Sequence, residues 1–315
     1  MRFSNKVLAI ITAFIFPIFL QIVAEDSYKE ESVVLQTPVG SVYGTLLLPN
    51  TINNHVALII SGSGPTDRNG NQPNLVNNSL KMLAESLYSH GIASLRYDKR
   101  AIAESKIDNL SELDIRFEHY VQDAAAWSTW LKGNDRFNNI TIVGHSEGSL
   151  VGMLAANEVG IDKFVSLAGP GKSADKVIKE QLGSKRVVSY FAFPLIDDLV
   201  QGKTVNPPFF LKTFFRPTVQ PYLISWFKYD PSVEIKKLKV PCLVIQGTTD
   251  IQVKVKDALL LANANKRVSL KIIEGMNHIL KNTPLEQKEN LKSYNRHDLP
   301  VNAELIREIV NFVKL

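Results

Sequence analysis

Residues 140–148 comprise Ile140-Thr141-Ile142-Val143-Gly144-His145-Ser146-Glu147-Gly148. The first four residues form a predicted strand, and a predicted helix that runs through Leu150 and Leu154 follows directly. The pattern Gly-x-Ser-x-Gly therefore lies at the turn between a strand and a helix. This setting predicts a serine nucleophile at position 146.

Steric requirements support Ser146 in this role. A serine exposed at such a turn needs a strained backbone, and the residues two before and two after it must be very small. Gly144 and Gly148 meet this requirement. The alternative is a glycine-rich turn in which the serine has no chemical role.

A serine hydroxyl is a weak nucleophile, so it needs a base and an acid that orients the base. Asp250 follows a predicted strand at residues 243–246, and His278 follows another at residues 271–273. Where the nucleophile occupies such a turn, the order along the chain is serine, acid, histidine. We therefore predict that Ser146, Asp250 and His278 are the catalytic residues. The alternatives are a turn-capping aspartate and a histidine at a loop or helix end.

Other acidic and histidine residues fit this role less well. Asp257 lies on the next predicted helix, and His297 lies in a polar stretch with no strand before it. The side chain of His145 is expected to point away from the attack path. The remaining histidines are expected at the surface or at helix ends: His55, His90 and His119.

The negatively charged intermediate of such a reaction needs two backbone N–H donors, which form an oxyanion hole. We predict the first donor at Glu147, the residue after the serine. We predict the second at Ser63, in the glycine-rich loop after the predicted strand at residues 56–60. A phosphate-binding loop is the alternative, but Pro65-Thr66-Asp67 stands where a Gly-Lys-Ser/Thr signature would be needed.

Outward from this motif, predicted strands alternate with predicted helices, which indicates a mostly parallel sheet with helices on both faces. The predicted strands are residues 32–36, 42–48, 56–60, 92–97, 140–143, 164–168, 241–246 and 269–273, and the predicted helices are residues 75–90, 117–131, 147–158, 255–264 and 303–313. Residues 172–239 interrupt this alternation. We predict that they form a cap inserted between core segments 25–171 and 240–315, above the strand ends where ligands bind.

These motifs resemble those of the α/β-hydrolase superfamily, in particular exported bacterial esterase-like hydrolases. The first motif is the loop Gly62-Ser63-Gly64-Pro65-Thr66-Asp67-Arg68-Asn69-Gly70, and the serine motif, the acid and the histidine follow in order. The resemblance covers about residues 32–315. It implies the α/β-hydrolase fold, with a mostly parallel central sheet, flanking helices and an inserted cap. Within the loop, Asp67 and Arg68 are expected to form a structural ion pair.

One segment departs from the family pattern. Such proteins carry Arg-Tyr-Asp-x-Arg-Gly-x-Gly-x-Ser, whereas this chain has Ala101 and Ala103 where glycines are usual. Alanine is costly where the backbone angle φ is positive. We therefore expect a reshaped loop here, which does not bear on the assignment of the three catalytic residues.

The motifs and the resemblance imply an esterase that cleaves carboxylic esters through an acyl-enzyme intermediate, without a metal or organic cofactor. A serine peptidase or a thioesterase on the same fold is an alternative, as is a non-catalytic binding module. Aromatic residues of the predicted cap either line an apolar acyl pocket or pack the cap onto the body: Phe209, Phe210, Phe214, Phe215, Trp226 and Phe227.

The N-terminus predicts an export signal. Arg2 and Lys6 form a positively charged region before an apolar stretch at residues 7–20. This stretch is shorter than the ~20 apolar residues that span a bilayer. We predict a signal peptide at residues 1–24 and a periplasmic or secreted protein. The alternative is an uncleaved N-terminal membrane anchor.

Net charge and cysteine count limit the classes of partner and of covalent or metal site that this chain can have. The 315 residues carry a net charge of +5, which is too weak to indicate a nucleic-acid partner. A single cysteine, Cys242, excludes an intramolecular disulfide and a cysteine metal cluster. We expect a small-molecule acyl ester as substrate, and membrane contact only if the N-terminal segment is uncleaved.

Overall fold

The computed structural model describes residues 29–50 and 54–315. The predicted signal peptide, residues 1–24, lies outside these residues. Across the described ranges, no helix is both long enough and apolar enough to cross a membrane.

Eight strands form one sheet in the order β1-β2-β4-β3-β5-β6-β7-β8. Strands β1 and β2 pair antiparallel, as do β2 and β4, and every later neighbour pairs parallel. The strands are β1 (Lys29–Thr37), β2 (Gly40–Leu48), β3 (His55–Ile60), β4 (Ala93–Tyr97), β5 (Asn139–His145), β6 (Lys163–Leu167), β7 (Cys242–Gly247) and β8 (Val268–Ile273).

Eleven α-helices occur in the described residues. They are α1 (Ser79–Ser89), α2 (Phe117–Lys132), α3 (Glu147–Val159), α4 (Ala174–Gly183), α5 (Arg186–Val200), α6 (Lys212–Phe215), α7 (Gln220–Trp226), α8 (Pro231–Lys237), α9 (Val255–Ala264), α10 (Gln287–Lys292) and α11 (Ala303–Lys314). Short 3-10 helices occupy Glu112–Asp114, Phe209–Leu211 and Ser293–Asn295.

Two apolar layers cover the sheet, one on each face. Helices α2, α3 and α9 pack on one face, and α1 and α11 pack on the other. Successive strand residues point to opposite faces, so Leu58 belongs to the first layer and Ile59 to the second. Strands covered on both faces are continuously apolar, which explains why β3, β5 and β7 were recognisable from sequence. The predicted α/β fold is confirmed.

The segment between β6 and β7 contains α4 to α8, where the sequence shows no regular alternation. It has an apolar cluster of its own, which includes Ala192, Leu199 and Leu211. Trp226 packs against both this cluster and the layer around α2. Its ring stacks on Phe117 with centroids 6.0 Å apart. The inserted segment is therefore joined to the body through the start of α2.

Candidate active site

The turn between β5 and α3 holds Ser146 in a conformation that few residues other than glycine adopt, with φ 56° and ψ −122°. The turn is tight. A Cβ added to Gly144 would lie 2.3 Å from the carbonyl oxygen of Gly148, and one added to Gly148 would lie 2.4 Å from that of Ile60. Only glycine fits at these two positions, and Ser146 remains partly accessible between them.

A continuous chain of hydrogen bonds joins the three residues predicted from sequence. The Nδ1 atom of His278 lies 2.8 Å from Oδ2 of Asp250, and its Nε2 atom lies 3.1 Å from Oγ of Ser146. With the proton on Nδ1, His278 donates to the carboxylate and accepts from the serine hydroxyl. Each residue follows the carboxyl end of a strand: β5, β7 and β8. In this arrangement the imidazole can take the serine proton.

Asp250 is held as a carboxylate by several donors. Its Oδ2 atom accepts from Nε2 of Gln246 at 2.9 Å, and its Oδ1 atom accepts from the N–H groups of Gln252 and Val253. Burial raises the pKa of this carboxyl, but His278 and the backbone donors together outweigh burial and lower it below the usual range. The anion is therefore positioned to stabilise an imidazolium at His278.

His145 has a supporting position that the sequence did not indicate. Its Nε2–H donates to the carbonyl oxygen of His278 at 2.7 Å, and the two ring centroids are 5.0 Å apart. Burial, aided by the nearby His278, lowers the pKa of His145 to about 4. A neutral His145 therefore fixes the backbone of the loop that carries His278.

The two predicted oxyanion donors lie on segments that border Ser146. Glu147 begins α3, where the first N–H groups have no acceptor within the helix. The loop after β3 runs against the serine, since a Cβ on Gly62 would lie 3.0 Å from Cβ of Ser146. Ser63, next in this loop, is exposed and lines the same cavity as Ser146. These positions suit two N–H groups that converge near the serine.

The loop after β4 contacts the loop after β3, which carries Ser63. Lys99 is buried, and its Nζ atom donates to the carbonyl oxygens of Gly62 and Gly64 at 2.5 and 3.1 Å. The segment that departs from the family pattern therefore contacts the loop that carries Ser63. Its substituted positions do need positive φ, with 69° at Ala101 and 45° at Ala103.

The prediction of an ion pair between Asp67 and Arg68 is wrong. Arg68 instead pairs with Asp98 at 2.7 Å and with Glu104 at 2.5 Å. Asp67 accepts from the N–H groups of Asn69 and Asn71. Neighbours in sequence point in different directions here, so Arg68 joins the loop after β3 to the loop after β4.

A cavity of about 190 Å³ contains Ser146 and His278. Its wall is mainly polar and comes from loops of the body: Gly62, Ser63, Thr66, Gly70, Gln72, Leu75, Asn77, Gln252, Ile279 and Tyr294. None of the six aromatic residues named for the cap lines it. Phe215 and Phe227 are buried in the inserted segment, whereas Phe209, Phe210 and Phe214 are exposed. Of these six aromatics, Trp226 is the one that packs the inserted segment onto the body, while Phe215 and Phe227 pack within the segment.

Size alone does not locate the site. A larger cavity of about 680 Å³ lies between α1 and α11 and includes neither the three predicted catalytic residues nor the two predicted oxyanion donors. In residues 29–50 and 54–315, no group of three or more His, Cys, Asp or Glu side chains is arranged to hold a metal ion.

Known proteins similar to this chain are esterases and other hydrolases. The chain is 27% identical over 275 residues to Esterase EstD of Thermotoga maritima, which covers 83% of this chain and 63% of that relative. It therefore spans under two thirds of the length of the curated relative it matches. No family model matches the chain.

Solved structures share the fold at low identity. Est1E of Butyrivibrio proteoclasticus, in a complex with ferulic acid, superposes with a TM-score of 0.60 at 17% identity, covering 90% of this chain and 99% of that one. Proline iminopeptidase of Mycobacterium smegmatis gives 0.58 at 13% identity, with 90% and 98% covered. Together with the eight-stranded sheet and its strand order, these likenesses show that the chain has the α/β-hydrolase fold.

Proposed function

We propose that the protein is a serine esterase that uses Ser146, His278 and Asp250. The observation that carries this proposal is the position of His278, which is hydrogen bonded at once to the serine hydroxyl and to a buried carboxylate. Serine hydrolases need a buried imidazole that donates to a carboxylate and lies beside a serine in a strained turn. The similarity to Esterase EstD supports an ester as the bond that is cleaved.

In the proposed reaction, Ser146 Oγ attacks the acyl carbon while His278 Nε2 takes the hydroxyl proton. The N–H groups of Ser63 and Glu147 stabilise the oxyanion that forms. When the tetrahedral intermediate collapses, the imidazolium returns the proton to the leaving alkoxide, and the alcohol departs. Water, deprotonated by His278, then attacks the acyl-enzyme and releases the acid and the free serine. Asp250 stabilises the imidazolium in both halves of the reaction.

The cavity supports small acyl groups. Its volume of about 190 Å³ is below the ~300–1,000 Å³ typical of ligand pockets. Thr66, Gln72 and Tyr294 add polar groups to its wall. A long alkyl chain would find little apolar surface there. We therefore propose short-chain or polar-substituted acyl esters as the substrate class.

The test is hydrolysis of p-nitrophenyl esters from acetate to palmitate by the wild type and by Ser146→Ala. We expect highest kcat/KM on the shortest chains, and a loss of about 10⁴-fold or more in the variant, as when a triad serine is removed. A folded wild type without activity on any ester would reject the proposal. Amide and thioester analogues in the same assay would then show whether the triad acts on another acyl bond.

A further inference from the structure

Lys99 is a buried charged residue to which the proposed reaction assigns no role. Its side chain is 2% exposed, and its Nζ atom lies 5.2 Å from the centre of the Tyr120 ring. Burial lowers the pKa of Lys99, and attraction to Glu147 opposes that effect. Removing an ammonium group from water is energetically unfavourable. The surroundings of this group should therefore show what the protein gains from it.

The hydrogen bonds of Lys99 act on the predicted second oxyanion donor. The carbonyl oxygen of Gly62, which accepts from Nζ at 2.5 Å, belongs to the same peptide unit as the N–H of Ser63. In a planar trans peptide these two groups point in opposite directions. Fixing the oxygen on Lys99 therefore fixes the direction of the Ser63 N–H. A charged donor on the oxygen also polarises the peptide and makes its N–H a stronger donor.

Lys99 also lies beside the first predicted donor. Its Nζ atom is 3.8 Å from Oε1 of Glu147, whose side chain is buried. The backbone N–H of that residue is the other group that should bind the oxyanion. The ammonium thus contacts the two segments that must keep a constant separation. It reaches one through a peptide oxygen and the other through a carboxylate.

Other contacts hold the loop but not this peptide. The Oγ1 atom of Thr66 donates to the carbonyl oxygen of Ser63 at 2.7 Å, one peptide further along. Lys99 also donates to Gly64 on the far side of Ser63. Among the described contacts, Lys99 is the side chain that acts directly on the oxygen of the peptide that carries the Ser63 N–H.

We propose that Lys99 is a positioning residue of the oxyanion hole, which aligns and polarises the Gly62–Ser63 peptide and ties it to Glu147. This inference rests on the proposed function, because it assigns Lys99 to the stabilisation of the same intermediate. Lys99 does not touch substrate. Its effect reaches the reacting atoms through the Ser63 N–H.

The test compares Lys99→Met with a matched control, Lys163→Met. Lys163 also donates to two backbone carbonyls, of Phe312 and Val313, and also lies near an aromatic ring, but it begins β6 at the opposite end of the sheet. We expect Lys99→Met to lower kcat on a short p-nitrophenyl ester by about 100-fold with KM unchanged, as when one oxyanion donor is lost. Its affinity for a trifluoromethyl ketone, which forms a tetrahedral adduct, should fall by a similar factor. Lys163→Met should change neither.

Two outcomes would overturn the inference. One is an unchanged kcat in Lys99→Met, with or without a change in KM, and the other is a fall in kcat with full affinity for the ketone. If Lys99→Met does not fold, Lys99→Gln replaces it, since a shorter neutral amide loses the ammonium but keeps the position polar. The same fall in kcat and ketone affinity is then expected. Wild-type values in that variant would equally reject the role.

A fluorophosphonate separates this inference from the proposed function, because no carboxylic ester takes part in its reaction with Ser146. Oγ forms a bond to phosphorus, the P–F bond breaks to release fluoride, and His278 takes the hydroxyl proton. If the wild type is labelled but cleaves no ester, the esterase proposal fails. Lys99 is then judged by whether Lys99→Met slows labelling while Lys163→Met does not. If the wild type cleaves esters and Lys99→Met matches it, only the Lys99 inference fails. A wild type that is neither labelled nor active would reject both.

Discussion

Ser146 has a strained backbone conformation, and the tight turn that requires it also presents the hydroxyl to His278. A positive φ at a non-glycine residue costs free energy, and here the surrounding contacts maintain it. The Ser146 N–H donates to the carbonyl oxygen of Leu167 at 2.9 Å, while two flanking glycines leave room for the turn. The cost is met by backbone packing in the sheet, so the hydroxyl can remain free to pair with His278.

His145 gives this residue-scale design a pH dependence. Its pKa is about 4 in the folded protein, against an ordinary 6.5. Above pH 6.5 both states leave the ring neutral, so stability does not depend on it. As the pH falls from 6.5 towards 4, the unfolded chain binds a proton that the folded protein excludes, and stability falls. From pH 6.5 to 4.5 we expect a loss of roughly 2–3 kcal/mol from this residue.

Urea unfolding of the wild type and of His145→Gln between pH 4.5 and 8 would measure this contribution. The difference in unfolding free energy between the two proteins should be constant above pH 7 and should shift against the wild type below pH 6.5. Glutamine keeps an N–H donor for the carbonyl of His278 but does not titrate. Parallel stability curves down to pH 4.5 would show that His145 is not held neutral by burial.

At the scale of elements, the loop after β4 holds an alanine at a positive φ, where the family pattern has glycine, and this conformation lowers stability. Ala101 adopts φ 69° and is exposed at the surface. Positive φ costs an L-residue roughly 1–2 kcal/mol, while glycine has no such penalty but loses more chain entropy on folding. Ala101→Gly should therefore stabilise the protein by about 0.5–1 kcal/mol. Ala262→Gly, inside α9 and half-buried, should instead cost about 1 kcal/mol.

Equilibrium denaturation in urea, with both variants beside the wild type, would measure these changes. A loss of stability in Ala101→Gly similar to that in Ala262→Gly would mean that the loop does not strain Ala101. Activity should change little, because Ala101 does not line the cavity that contains Ser146 and His278.

Elements with local signals were predictable, and those fixed by distant contacts were not. The turn at Ser146 has its strand, glycines and helix within about a dozen neighbouring residues. Asp250 and His278 were predicted because each follows a strand, the buried β7 and the partly exposed β8, and parallel strands end at one edge of the sheet. By contrast, Lys99 and Gly62 lie in the loops that follow two neighbouring strands, β4 and β3. Nothing in the local sequence of either loop indicates the contact.

The helices of the inserted segment could not be predicted from the sequence. Its helices α6, α7 and α8 have four to seven residues, too few for a clear helical period. Helix α5 contains Pro194 in its interior, which sequence rules treat as a break. Tertiary packing around Ala192 and Phe215, rather than local preference, stabilises these short helices.

At the scale of the whole molecule, the question is whether the inserted segment and the body fold as one unit. The two sheet-covering layers belong to the body, and the segment has a third cluster of its own. Trp226 joins that cluster to the layer around α2, and Ser225 accepts from the N–H of Phe117 at 2.8 Å. These contacts connect the segment to α2, which also packs against β5. Cooperative unfolding of both parts is the expected consequence.

Trp226→Ala tests this coupling against Phe209→Ala, an aromatic change in the same segment at a side chain that is 88% exposed. A half-buried tryptophan that bridges two clusters should cost about 2–3 kcal/mol, somewhat less than a fully buried one. The exposed phenylalanine should change stability by less than about 0.5 kcal/mol. If the parts unfold together, circular dichroism in urea will show one transition, moved to lower urea by Trp226→Ala. If instead the main transition stays in place and a second, earlier one appears, the segment folds independently of the sheet, and the stacking on Phe117 does not couple it to the body.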